Sequence, residues 1–417
     1  MARVVVCSIM YLGDVAPYLA VGRELGQRGH DVVGLLPEGV RELAEDEPMG
    51  FHPYALDASP RALHRDPEHQ RLVEHPFRNV FAYGKHLMER GLLDDVDGAV
   101  ASTRAAFEGA DAVVTHPIFA SLALPVARSM GVPVVCGHLF PMTIPTTSWG
   151  PAAGKRSLPV RGRLARSAWV GVEAASDRVF QGRRINEVRR ALGATERRGA
   201  AAYAWTESDA TVLLASRHWF GASPSEWSAH RWGGFTAWAP VDASLAPEVH
   251  AYLSDGKPPV LVTLGTSAAS TAAKSFRRIH DDLVSVGERP LLLTGSTVEL
   301  GPLADEPGVF PFAPIDLVAP RCAAAVHSGA LGSLGAIARA GLPSVVHPQL
   351  FDQVWNAGQA ERLGIGLHVR SARRVAPAVR RLLDDDGIRR RAESLAAAMV
   401  GEDGATACAD VVEDLIG

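Results

Sequence analysis

The sequence predicts an α/β chain built from two doubly wound, parallel-sheet domains that face each other across a cleft. Short β-branched runs alternate with helical segments along most of its length, and the alternation comes in two series separated by an aperiodic stretch. The length agrees, since 417 residues are too many for one ordinary domain and comfortable for two. With 47% of its residues hydrophobic, each half has the apolar material for its own core.

The first series opens with a strand at 4–9 and a helix at 18–28 that puts Tyr18, Val21 and Leu25 on one face. Gly29 stops that helix, and 31–36 supplies the next strand. Further strands follow at 112–115, 133–138 and 211–215. Such a βαβ series implies right-handed crossovers and a parallel sheet covered on both faces. Residues 50–105 fit the pattern poorly; His52, His64, His69, His75 and His86 lie among charged helix formers at spacings that match no ordinary zinc site. Insertions of this kind are where such folds build variable pockets. The stretch 221–247, rich in Trp, Ser, Pro and Gly, reads as the joint. The second series places strands at 259–264, 290–294, 309–312, 323–327 and 343–347. In the tail, Cys408, Val411, Val412, Leu415 and Ile416 form one stripe of a helix at 404–416, which must dock on a domain. The expected division is a first domain at 1–225, a linker at 226–244 and a second domain at 245–399. The last segment, 400–417, is expected to pack back on the first domain.

Composition excludes several classes. A net charge of −4 and an isoelectric point near 6.4 leave no polybasic surface for nucleic acid. Local basic clusters at 373–374 and 389–391 read as solvated helix faces. Cys7, Cys136, Cys322 and Cys408 are scattered with no CxxC pair, which suits free thiols in a reducing cytoplasm. No stretch reaches the roughly 18 uncharged apolar residues of a membrane span, and the N-terminal apolar run is too short for a signal segment. A soluble, cytoplasmic protein is expected.

The chemistry concentrates at 326–357, VHSGALGSLGAIARAGLPSVVHPQLFDQVWNA. A strand ends at His327, a glycine-rich turn follows, and a helix is expected to start near Ser333. The N–H groups and dipole of a helix N-terminus favour an anion. Gly329 and Gly332 would let a phosphate approach without a Cβ in the way, Ser333 could cap the helix and donate, and His327 offers a ring donor. Read alone, such a turn is equally a tight connection. After the next strand come Asp352, Gln353 and Asn356. A carboxylate beside an amide suits sugar hydroxyls, whereas a helix-capping role would account for Asp352 but not for Gln353.

This segment resembles the donor-binding signature of family 1 glycosyltransferases, H-x-G-x-x-G-[ST] … P-x-x-x-D-Q-x-x-N-A, whose fold is GT-B. The resemblance runs over nearly the whole chain. LGDVAPYLAVGRELGQRGHDV resembles the family's first loop and helix, VLVTLGTS at 260–267 the start of its second domain, and LLASRHWFGASPSEW at 213–227 the approach to the linker in bacterial natural-product and rhamnosyl-type members. It implies that His327, Gly329, Gly332 and Ser333 hold a diphosphate, with Gly265, Thr266 and Ser267 nearby. It implies further that Asp352 and Gln353 hold the sugar, and that Phe312 stacks on the base with the Ala313 backbone at its edge. For Phe312 the competing reading is ordinary core. Two departures matter. Many members carry a glutamate for the ribose near Gly335, and its loss leans the donor towards a dTDP-sugar. Many carry Gly-His in the first loop, where this chain has Gly13–Asp14, which moves the catalytic base to Asp14 with His138 in reserve. A capping role for Asp14, before a helix starting near Pro17, competes with that assignment.

On the acceptor side the candidates are Gly13, His75, Phe77, Phe81, His138, Phe140 and Met142, a mixture suited to a bulky, partly apolar secondary metabolite. Asp95 and Asp97 form an Asp-x-Asp, but in a helix-like stretch that reads as a solvated face, so no metal is invoked. The expected activity is an inverting transfer of a hexose, a deoxysugar from its dTDP derivative, to a hydroxyl or other nucleophile. The nucleotide sugar serves as co-substrate, with no separate cofactor, and a homodimer stays open. The alternatives are a non-catalytic partner of another transferase and a GT-B nucleotide-sugar epimerase. A dinucleotide-dependent oxidoreductase is disfavoured, because MYLGDVAP lacks G-x-G-x-x-G and no acid ends the second strand.

Overall fold

A computed structural model of the chain describes residues 1–9, 12–54, 65–73, 80–265, 269–295, 298–349 and 352–417. The first sheet consists of β1 (Arg3–Cys7), β2 (Asp31–Leu36), β3 (Gly50–Pro53), β4 (Ala112–Thr115) and β5 (Val134–His138), joined later by two more strands. Between them lies a small antiparallel hairpin, β6 (Ala152–Ala153) and β7 (Arg156–Ser157). The sheet is completed by β8 (Ala210–Leu213) and β9 (Arg231–Trp232), in the order β3-β2-β1-β4-β5-β8-β9. The second sheet runs through β10 (Val260–Thr263), β11 (Pro290–Leu293), β12 (Val309–Phe310), β13 (Ala324–His327), β14 (Ser344–Val346) and β15 (Gly366–His368), in the order β12-β11-β10-β13-β14-β15. The strand pairings in both sheets are parallel.

The strands are short because they are buried on both faces. Val4, Val5 and Val6 are at most 1% exposed, and Val4 pairs with Val32 on one side and Ala112 on the other. In each sheet the strand order reverses beside the first strand, β1 or β10, and open α/β sheets bind ligands at the carboxyl ends of strands flanking that point. The loops after β1, β10, β13 and β14 are therefore the ones that matter.

Several boundaries differ from the sequence expectation. The first helix, α1 (Leu12–Gln27), starts six residues before 18, with Pro17 accommodated inside it. β12 stops at Phe310, leaving Phe312 beyond the strand. β3, β9 and β15 are only two to four residues long and too short to show a period. β9 lies inside 226–244, so the first sheet reaches Trp232 and that stretch is not linker throughout; β9 follows Val212 and Leu213 of β8 as an edge strand.

Two further helices frame the cleft, α2 (Leu331–Arg339) and α3 (Gln353–Leu363), and a third, α4 (Gly404–Ile416), closes the chain. Although α4 follows the second sheet in sequence, it lies on the first. Cys408, Ala409 and Val412 pack with Val4, Val6 and Val114, and with Tyr18, Val21 and Leu25 of α1. Arg28 fastens it through Asp410 at 2.9 Å and Glu413 at 2.6 Å. At the joint, Phe220 stacks on Trp355 of α3 with ring centroids 5.1 Å apart. The hairpin adds a second tie, with Lys155 Nζ 2.7 Å from Glu361 and its carbonyl accepting Arg362 Nη1 at 2.9 Å. All four cysteines are free, and among the described residues no helix is long and apolar enough to cross a membrane.

Candidate functional site

One half of the site comes from the carboxyl ends of β1 and β4. Asp14 falls in the first turn of α1, where the helix dipole favours a carboxylate. It is therefore inside the helix, not a cap preceding Pro17. Ser8 Oγ donates to its carbonyl at 2.7 Å and ties the turn to the strand end. Its side chain, 20% exposed, opens on the cleft. Behind it stands His116, fully buried just past β4. His116 Nδ1 accepts the Ile118 N–H at 3.2 Å, so the neutral ring carries its proton on Nε2. That Nε2 has no hydrogen-bond partner and lies 3.7 Å from Asp14 Oδ1. Tyr18 and Phe140 hold the ring edge-on.

The other half comes from β10, β13 and β14. Gly265, at φ +79°, turns the chain out of β10 and lines the cleft. The helix after β13 begins at Leu331, before the expected Ser333, with Ala330 as its N-cap and no side-chain cap bond. Ser333 is thus the third helical residue, its Oγ donating to the Ala330 carbonyl at 3.1 Å. Gly332 and Ser333 line the cleft, and a Cβ at Gly332 would meet nothing within 4 Å. An uncapped helix start on a cleft presents N–H groups and the positive dipole end to an anion.

His327 and Gly329 take a different part from the one expected of them. His327 is 1% exposed and stands behind the cleft lining. Its Nδ1 accepts the Gly329 N–H at 3.1 Å, and burial pushes its pKa down to about 4, so the ring is neutral. Gly329 has φ +93°, and a Cβ there would sit 3.0 Å from Val346 Cγ1 and 3.1 Å from the Gln353 carbonyl. What approaches this glycine closely is the start of α3, not a ligand. The pair braces the loop from behind.

Asp352 occupies the N-cap position of α3 with helical dihedrals and caps nothing. Its Oδ2 accepts from Asn356 Nδ2 at 3.1 Å, and the same amide donates to the Gly329 carbonyl at 2.9 Å. Burial pushes the Asp352 carboxyl up to about 7, and the Asp14 charge across the cleft adds to the shift. Gln353 is buried, its Oε1 accepting the Gln349 N–H at 2.8 Å. Both residues line the cleft. Phe312 is 54% exposed on the same cleft with Ala313 beside it, which sets aside its reading as core.

The cleft encloses about 810 Å³, within the range of small-molecule sites. Its first-domain wall is apolar, with Phe140, Met142, Leu87, Met88, Ile118 and Phe180, and Gly13 at the exposed rim. His138 is not part of it. That ring is 1% exposed, packs on Trp205 at 4.5 Å, and spends Nδ1 on the Phe140 N–H at 3.1 Å. Burial holds its pKa well below 6.5, and it cannot serve as a reserve base. Thr266, Ser267, His75 and Phe77 lie outside the described residues, as does the side chain of Phe81. Asp95 caps the helix Val96–Ala106, accepting the Gly98 N–H at 2.9 Å.

Two features escaped the sequence reading. His116 could have been found, because like His138 and His327 it ends a buried β-branched run at the carboxyl edge of a sheet. The other is at the far end of α2. Gly335 faces Phe235, not the cleft, and an added Cβ would lie 3.0 Å from the Phe235 side chain. One turn on, Arg339 lines the cleft and its Nη2 donates to Asp316 Oδ1 at 2.7 Å.

Comparison with known proteins agrees with this geometry. Residues 292–416 match the family described as erythromycin biosynthesis protein CIII-like, C-terminal domain. Over 439 aligned residues the chain is 26% identical to O-mycaminosyltylonolide 6-deoxyallosyltransferase of Streptomyces fradiae, covering 99% of this chain and 97% of that one. Among solved structures, the glycotransferase of kitacinnamycin superposes with a TM-score of 0.74 at 18% identity, covering 100% and 99% of the two chains. Glycosyltransferase VinC in complex with DTDP superposes with a TM-score of 0.68 at 18% identity, covering 99% of each. With two parallel sheets facing across one cleft, the chain has the GT-B fold of these solved glycosyltransferases, and its C-terminal third matches the erythromycin biosynthesis protein CIII-like C-terminal domain.

Proposed function

We propose that the chain transfers a deoxyhexose from its dTDP derivative, with inversion, to a hydroxyl of a bulky and largely apolar small molecule. The observation that carries this reading is one cleft lined by Asp14 from the first sheet and by Ser333, Phe312, Asp352 and Gln353 from the second. The start of α2 takes the diphosphate, Phe312 and Ala313 the base, and Asp352 with Gln353 the sugar hydroxyls. The acceptor lies against Phe140, Met142 and Ile118.

In the transfer, the acceptor oxygen attacks the anomeric carbon while its proton passes to Asp14. The bond to the diphosphate breaks on the opposite face, and dTDP leaves with its charge facing the N–H groups of Gly332 and Ser333. His116 is too deeply buried to touch the acceptor. Its Nε2, 3.7 Å from Asp14 Oδ1, backs the carboxylate from the protein side, a positioning role. Two observations favour thymidine over uridine: residue 335 is a glycine and carries no carboxylate, and the structural relative VinC carries DTDP.

Calorimetric titration should therefore give tighter binding of dTDP than of UDP; equal or reversed preference contradicts the donor reading. Asp14→Asn should bind dTDP as the wild type does and lose about two orders of magnitude in turnover. Undiminished turnover removes Asp14 from the mechanism. A third outcome concerns Asp352, whose carboxyl titrates at about 7 in the fold against an ordinary 3.8. An acid with a raised folded pKa costs stability as pH climbs from the unfolded to the folded value, here from about 4 to about 7, and the cost then levels off. The melting temperature of Asp352→Asn relative to wild type should rise between pH 5 and pH 8; a constant difference excludes the shift.

A further inference from the structure

We propose that Asp316, oriented by Arg339, is the residue that binds the 3′-hydroxyl of the donor's deoxyribose. This subsite rests on the donor-site reading above and names a contact that reading leaves open. The position from which a carboxylate could reach a ribose along α2 is a glycine: Gly335 faces Phe235, and an added Cβ would lie 3.0 Å from that side chain. The same wall of the cleft nevertheless carries one acid. Asp316 stands two residues after Pro314, in the short helix Ile315–Val318 that continues the loop of Phe312 and Ala313, and it lines the cleft with them.

The placement fits a nucleoside. Along α2 the cleft-facing residues are Leu331, Gly332, Ser333, Ala336 and Arg339. From Ser333 to Arg339 the helix rises about 9 Å. A diphosphate at the start of α2 with its base against Phe312 therefore has its sugar ring near the Arg339–Asp316 pair. Arg339 Nη2 holds Asp316 Oδ1 at 2.7 Å, and its Nη1 is buried without a hydrogen-bond partner. Asp316 Oδ2 makes no hydrogen bond to the described residues, and the side chain is 36% exposed. One committed oxygen and one open oxygen suit one hydroxyl, which matches 2′-deoxyribose better than a 2′,3′-diol.

The test compares dTDP with its 3′-deoxy analogue by calorimetry, on wild type and on Asp316→Ala and Asp316→Asn. Wild type should bind the analogue about tenfold more weakly than dTDP, the loss of one charge-assisted hydrogen bond. Both variants should bind the two nucleotides alike, at the affinity wild type has for the analogue. That unchanged affinity shows that the variants are folded. Discrimination that persists in the variants overturns the subsite while leaving the donor site standing. Failure of wild type to bind dTDP at all overturns both.

Discussion

Everything in the cleft depends on the two sheets being held at one separation, and the joint that holds them is aromatic. Phe220, from the end of the first domain, stacks on Trp355, three residues past Asp352, with Trp227 and Trp232 packed around it. Aromatic ring pairs of this kind, one stacked and two tilted, contribute on the order of 1 kcal/mol each beyond their buried area. Gln359 donates to the Trp219 carbonyl, and the hairpin reaches over to Glu361 and Arg362. The helix that begins with Asp352 and Gln353 is thus anchored to the domain that carries Asp14. α4 closes the circuit by returning to the first sheet, so the chain crosses between the halves twice.

The electrostatics follow from that approach. Two carboxylates, Asp14 and Asp352, face one cleft closely enough for the charge of one to raise the pKa of the other. Such a site is poised for a ligand that separates them, with a hydroxyl proton to lose on one side and hydroxyls to be held on the other. Three histidines stand behind the cleft. His138 and His327 are buried and neutral, and His116 shares their arrangement, each ring accepting the N–H two residues on. Of the three, only His116 has its buried Nε2 beside a carboxylate of the cleft, which is why geometry, not residue type, distinguishes it.

The fold was legible because β-branched runs buried on both faces leave a strong pattern, and two series of them imply two parallel sheets. That Gly265, Gly332, Ser333, Asp352 and Phe312 line the cleft was legible because loop chemistry at strand ends is local in sequence. What failed was the part that depends on what packs behind the loop. The sequence makes Gly329 and His327 look like phosphate ligands; packing makes them a brace, because the start of α3 lies against the glycine. His138 looks like a base until Trp205 covers it. The Asp316–Arg339 pair spans 23 residues and two elements, so no local pattern announces it. Short edge strands such as β9 failed for a simpler reason, since two residues carry no period.

The central claim is that Asp14 and the start of α2 act on opposite faces of one sugar, and the stereochemistry of the anomeric carbon reports on it directly. Slow hydrolysis of a dTDP-hexose by the wild-type protein, with water as the acceptor, can be followed by proton NMR before mutarotation scrambles the product. The first sugar released should have the anomeric configuration opposite to that of the donor, and Asp14→Asn should suppress its formation. Release with the donor's configuration retained, or at the same rate from the variant, would contradict the account.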